Sequence, residues 1–135
     1  MMRRIRRLAM AGLIAVSAAA TAQGTRPAIL DSILPGNWQL HEIGTTGGAR
    51  TICVRDTGQL LQVHHGGAPC ARFVLGETGR SATVHYTCPG LGNGRTTITV
   101  ESGSLLRIQT QGIAEGAPFD HDYEARRSGA CGDAR

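Results

Sequence analysis

Residues 70–88 read CARFVLGETGRSATVHYTC, two alternating runs around a short polar break. Cys70–Gly76 and Ser81–Cys88 are each of strand length. Both are rich in β-branched and aromatic residues, with apolar and polar side chains alternating along them. Glu77-Thr78-Gly79-Arg80 supplies the turn between them. Folded as a hairpin, the segment sets Val74 beside Val84 and brings Cys70 opposite Cys88 at its open end. A period of two, not 3.6, governs this part of the chain.

The same period recurs outward in both directions. Pro89–Gly94 (PGLGNG) reads as a turn, with Asn93-Gly94 suited to the positive φ angles of a tight hairpin. Arg95–Ser102 alternates, with Ile98 and Val100 inward and Thr97, Thr99 and Glu101 outward. After the loop Ser102-Gly103-Ser104, Leu105–Ile113 returns and places Leu106 opposite Val100 and Ile108 opposite Ile98. A last strand, Phe119–Arg127, carries Phe119, His121, Tyr123 and Ala125 on one face.

Upstream, Leu34-Pro35-Gly36 leads into a first strand, Asn37–Ile43, with Trp38, Leu40 and Glu42 on one side. Gly44–Ala49 forms a flexible turn before a second strand, Arg50–Val54. A helical turn is expected at Leu30–Leu34. A short helix is expected over Thr57–Val63, capped by Asp56 or Thr57, with Leu60, Leu61 and His64 at helical spacing. About seven strands joined by hairpins predict an all-β fold: a single small antiparallel β-barrel or strongly twisted sheet with one short helix.

The first residues are of another kind. Met1–Arg7 carries four arginines, Leu8–Ala20 is a short apolar run, and Ala20-Thr21-Ala22 matches a small-residue cleavage site. These features predict a signal peptide over 1–22, cut before Gln23, and export to the periplasm. The single β domain is then 23–135, with its core in 34–131. No second long apolar stretch follows, so no membrane span is expected after cleavage.

The formal charge of +4 resides in Arg3, Arg4, Arg6 and Arg7; beyond them arginine balances the acids and lysine is absent. A basic surface for nucleic acid is therefore not expected.

Cys53, Cys70, Cys88 and Cys131 all lie after the leader, an even set in a small exported domain. Their spacing has no C-x-x-C pair, so disulfides are expected and a metal site is not. The hairpin pairs Cys70 with Cys88, which leaves Cys53 with Cys131 to tie the C-terminus to an early strand. Each bridge contributes roughly 3–4.5 kcal/mol in the loop-entropy model.

Several short motifs fall in one order: Pro35-Gly36-x-Trp38, Ile52-Cys53-Val54, Cys70, Tyr86-Thr87-Cys88 and a terminal Arg127-x-Gly129-x-Cys131. In this the chain resembles the small exported bacterial proteins grouped as domain of unknown function 3617. The resemblance implies a periplasmic, disulfide-bearing, β-rich domain and supplies no catalytic residues. Gly36-x-Trp38, with Arg126 or Arg127 available to pack across the indole, is also similar to the opening of lipocalins. There such a cation–aromatic contact closes one end of a barrel.

Little else points to chemistry. His41, His64, His65, His85 and His121 show no H-x-H or H-x-x-x-H spacing, and read as surface or boundary residues. In Asp120-His121-Asp122-Tyr123-Glu124, alternation sends the three acids to one side, where Arg126 and Arg127 answer them. His121 and Tyr123 go to the other side. No nucleophile elbow is present, and Gly90–Gly94 lacks the lysine and following helix of a phosphate loop.

The expectation is a monomeric, non-catalytic protein without cofactor or metal. It would bind a small apolar or amphiphilic ligand on a sheet face bearing Trp38, Phe73 and Tyr86. The alternative is an envelope interaction or inhibitor protein that engages a partner through Gly44–Ala49 or Pro89–Gly94.

Overall fold

The alternation seen in the sequence becomes seven strands of one antiparallel sheet in a computed structural model, which describes residues 26–132. The expected signal peptide, 1–22, lies outside the described residues. The strands are β1 (Gly36–Glu42), β2 (Arg50–Val54), β3 (Ala71–Glu77), β4 (Ser81–Cys88), β5 (Gly92–Ser102), β6 (Leu105–Ala114) and β7 (Ala117–Gly129). Their order across the sheet is β2-β1-β7-β6-β5-β4-β3.

Hairpins make all but one of the connections between consecutive strands. The exception, from β2 to β3, must travel from one edge of the sheet to the other, a span of about 29 Å at normal strand spacing. Residues 55–70 make that journey across one face. Closure would require the two edge strands β2 and β3 to pair, and among the described residues they do not. The barrel alternative therefore gives way to an open sheet.

The crossover is what creates the core. It contains the 3₁₀-helix Thr57–Gln62, which presses Leu60 and Leu61, both with no exposed surface, onto the sheet. A second 3₁₀-helix, Ala28–Ser32, adds Ile29 and Leu30. Opposite them the inner sheet face supplies Trp38, Leu40, Val84, Ile98, Leu106, Ile108 and Ala125. Burial of these side chains, at about 25 cal/mol per Å2 of apolar area, is the main stabilising contribution. Among the described residues no element covers the other face, which carries Thr, Gln, Asn, Arg and Asp side chains.

The expected helix at Thr57–Val63 is thus a tighter 3₁₀-helix. Asp56 caps it by accepting from the Gly58 N–H at 2.8 Å, which holds its carboxyl below the usual range. The expected turn at Leu30–Leu34 lies a little earlier, at Ala28–Ser32.

Register follows the pattern of side chains. Val74 pairs with Val84, and Leu106 and Ile108 pair with Val100 and Ile98. Cys70–Cys88 and Cys53–Cys131 are the disulfides, with Cα–Cα distances of 4.2 Å and 5.5 Å. One expectation fails locally: Asn93 and Gly94 lie inside β5, paired with Thr87 and Tyr86, so the turn between β4 and β5 is Pro89–Leu91.

The Gly36-x-Trp38 opening has a steric origin. Gly36 takes φ +146°, and a Cβ there would lie 2.3 Å from the Gly129 carbonyl oxygen. Only glycine lets β1 approach the end of β7 so closely. Arg127 stands opposite Trp38 in register, but its Nε donates to the Pro35 carbonyl at 2.8 Å. The indole N–H donates to the Leu34 carbonyl at 3.0 Å.

Candidate functional site

Trp38, Phe73 and Tyr86 do not share an open face. Trp38 and Tyr86 are fully buried, whereas Phe73 is 53% exposed on the opposite side of the sheet. The reason is parity. Phe73 pairs with His85, and Tyr86 is the next residue of the same strand, so its side chain points the other way. The ligand face expected from these three residues is therefore corrected: two of them are core.

The inner face instead gathers histidines. Just after the 3₁₀-helix Thr57–Gln62, the strap formed by residues 63–70 lays His64 and His65 against the sheet. His64 stacks on Phe119 and His121, with ring centroids 4.4 and 4.6 Å away, and its Nε2 lies 3.2 Å from the Tyr123 hydroxyl. Burial is the leading cause that lowers the His64 pKa to about 4, helped by the nearby charge of His121. At neutral pH the ring is uncharged. His121 in turn binds Glu42 through Nδ1 at 2.7 Å.

His65 turns toward Tyr86. Its Nε2 lies 3.2 Å from the Leu91 carbonyl and its Nδ1 2.9 Å from the Tyr86 hydroxyl. A carbonyl only accepts, so Nε2 is the donor to Leu91, and the Tyr86 hydroxyl shares a hydrogen bond with Nδ1. Burial pushes the Tyr86 hydroxyl up to about 12. Beneath it, the Thr96 and Thr110 hydroxyls are 2.8 Å apart in a buried pair.

His121, distant in sequence from the adjacent pair His64 and His65, is thus their neighbour. His121 is on β7 with the outward acids, yet alternation turns it inward, and the crossover delivers His64 and His65 to the same place. Their nitrogens do not converge on a point. Among the described residues no group of three or more His, Cys, Asp or Glu is placed to hold a metal ion.

The outer face carries a different feature. A cross-strand row runs Phe73, His85, Arg95, Gln111, Asp120 over five adjacent strands. Along it lies an open groove of about 370 Å3, lined by His85, Asn93, Arg95, Gln111, Ile113 and Asp120 among others. A second of about 230 Å3 adjoins it and shares Arg95, Gln111 and Asp120. Among the described residues, the side chains of His85, Asn93, Arg95, Gln111 and Asp120 have no hydrogen-bond or ion-pair partner. The neighbouring acids differ: Asp122 is bound by Arg107 and Glu124 by Arg126. Ile113, at 38% exposure, lines the groove, and Leu91, at 49%, lies in the adjoining turn between β4 and β5.

No family model, curated protein or solved structure matches this chain. Buried Tyr86 and half-buried His64 are withdrawn from solvent, and among the described residues both disulfides are formed, with no free thiol. In the groove, polar side chains remain available to a second molecule.

Proposed function

We propose that the protein is an exported, non-catalytic binding module of the periplasm that engages a partner protein with the loop end and outer face of its sheet. The observation that carries this reading is the row His85, Arg95, Gln111, Asp120. Among the described residues its side chains have no partner; it lines a groove that exposed Ile113 borders, with exposed Leu91 in the adjoining turn. A mixed surface of this kind, apolar points beside amides and both signs of charge, suits a protein surface better than a lipid tail. Of the two loops expected to engage a partner, Pro89–Gly94 borders the groove. Gly44–Ala49 is exposed throughout and leaves β1 at the same end of the sheet.

Export is supported by the leader-like sequence of 1–22 and by the two disulfides, which persist in oxidising compartments. The resemblance to domain of unknown function 3617 supports the same address. The protein acts as a monomer in this reading, without cofactor or metal. A small polar or amphiphilic ligand is the second reading, favoured by the groove volume of about 370 Å3, which falls within the range of small-molecule sites.

The test is a photo-crosslinking side chain placed at Leu91 in the protein secreted to the periplasm, with the same group at Gln39 as control. A discrete protein adduct from position 91 that disappears on adding Arg95→Glu supports the partner reading. Equal labelling from position 39, or none from either, overturns it. Native mass spectrometry of the same preparation reads out the alternative as a retained small mass.

A further inference from the structure

We propose that residues 63–70 form an acid-released strap: protonation of His64 expels its ring from the sheet and uncovers the aromatic row Phe119–His121–Tyr123. The row lies on the inner face, with Phe119 also bordering the outer groove, while His64 and the strap take no part in the binding role given to that groove.

The aromatic row is regular. Phe119, His121 and Tyr123 project from alternate positions of β7, with nearly parallel rings whose centroids are 6.3 and 5.5 Å apart. His64 lies over the gap between the first two and bonds Tyr123, so one side chain covers all three. In its neutral state it is a flat, largely apolar lid.

A proton changes the balance. The groups facing His64 are Phe119, His121 and Tyr123 from β7, Glu42 from β1, Arg50 from β2 and His65 from the strap itself. Three of these are cationic or can become so. The single carboxylate, Glu42, is already engaged by His121, and the Arg50 guanidinium sits at the root of the strap, donating to the Val63 carbonyl at 2.8 Å. A charged His64 therefore gains little attraction where it lies and recovers full hydration by leaving.

Release is local because the far side of the strap is tied separately. The Gln62 amide donates to the Gly66 and Ala68 carbonyls at 3.0 and 2.9 Å, and its oxygen accepts from Arg72 of β3. Cys70 is bonded to Cys88. None of these ties involves His64. The strap therefore opens on the β7 side alone and hinges on β3.

The sign follows from linkage. A ring that titrates at about 4 when packed and near 6.5 when free favours the closed form above about pH 6.5. It loses that preference as pH falls toward 4. Even after solvent screening, the closed-to-open ratio should fall at least about tenfold.

The experiment is backbone amide exchange with a histidine-ring NMR titration on the full disulfide-bonded chain, corrected for the intrinsic pH dependence of exchange. Between about pH 7 and pH 4, protection at residues 64–66 should drop at least about tenfold with the His64 titration, while β5 and β6 keep theirs. His64→Phe keeps a ring in the stack but takes no proton, and should stay closed. If that variant does not fold, His64→Gln should open to a pH-independent extent. Unchanged protection at 64–66 down to about pH 3.5, or a phenylalanine variant that opens like the parent, overturns the proposal. So does simultaneous loss of protection in β5 and β6.

Discussion

Tyr86 lies across Gly94, its cross-strand partner, so closely that a Cβ on residue 94 would fall 2.5 Å from the phenol. The absent side chain is the space in which the ring lies, and it lets the hydroxyl reach His65. Gly94→Ala should therefore destabilise the protein by more than about 2 kcal/mol, well above the usual cost of a single surface change. Urea unfolding of the oxidised protein measures it. A loss under about 0.5 kcal/mol would mean that the ring shifts freely.

Both tyrosines of the chain are buried, and burial raises the pKa of each, Tyr86 to about 12. Ultraviolet titration should show little phenolate at pH 10, where a free tyrosine is about half ionised. A group whose folded pKa lies above its unfolded value stabilises the fold below the unfolded pKa. That stability is lost as pH rises from about 10 toward 12. Phenolate appearing at the free-tyrosine pH in a still folded sample would contradict the burial of both rings.

Glu115 occupies the turn between β6 and β7 at φ +52°, followed by Gly116 at +76°. Two positive φ values in a two-residue turn favour asparagine or glycine at the first position. Glu115→Asn should raise stability by roughly 0.5–1 kcal/mol, because the left-handed conformation costs glutamate more. Thermal melting of the two proteins side by side checks this; equal or lower stability counts against strain at the turn.

The two disulfides differ in access. Cys88 is buried beneath the strap, whereas Cys53 is exposed on the edge strand β2, beside an open groove that Cys131 lines. Limited reduction followed by alkylation and peptide mapping should label Cys53 and Cys131 first. Preferential labelling of Cys70 and Cys88 would be the contrary result.

The strands were legible because burial on one face forces a period of two. Val74 against Val84, and Ile98 against Ile108, follow from matching the apolar residues of neighbouring runs. The disulfide pairing followed from the same hairpin. Trp38 and Tyr86 misled because an aromatic residue in an alternating strand is equally consistent with a ligand wall or a core layer; only the position of residues 55–70 decides which. The histidine cluster was illegible for a related reason. His64 and His121 are 57 positions apart, and no local spacing encodes a contact made by a crossover.

Local physics in the chain determined the strand faces, the cysteine partners and a cap at Asp56 or Thr57, since each depends on near neighbours along the chain or one hairpin. Tertiary structure alone decided that the sheet stays open, that the β2–β3 connection covers one face, and that His64 meets β7. Those outcomes depend on where a sixteen-residue crossover comes to rest. Its path is set by the sum of the apolar area it buries, and no single segment specifies that sum.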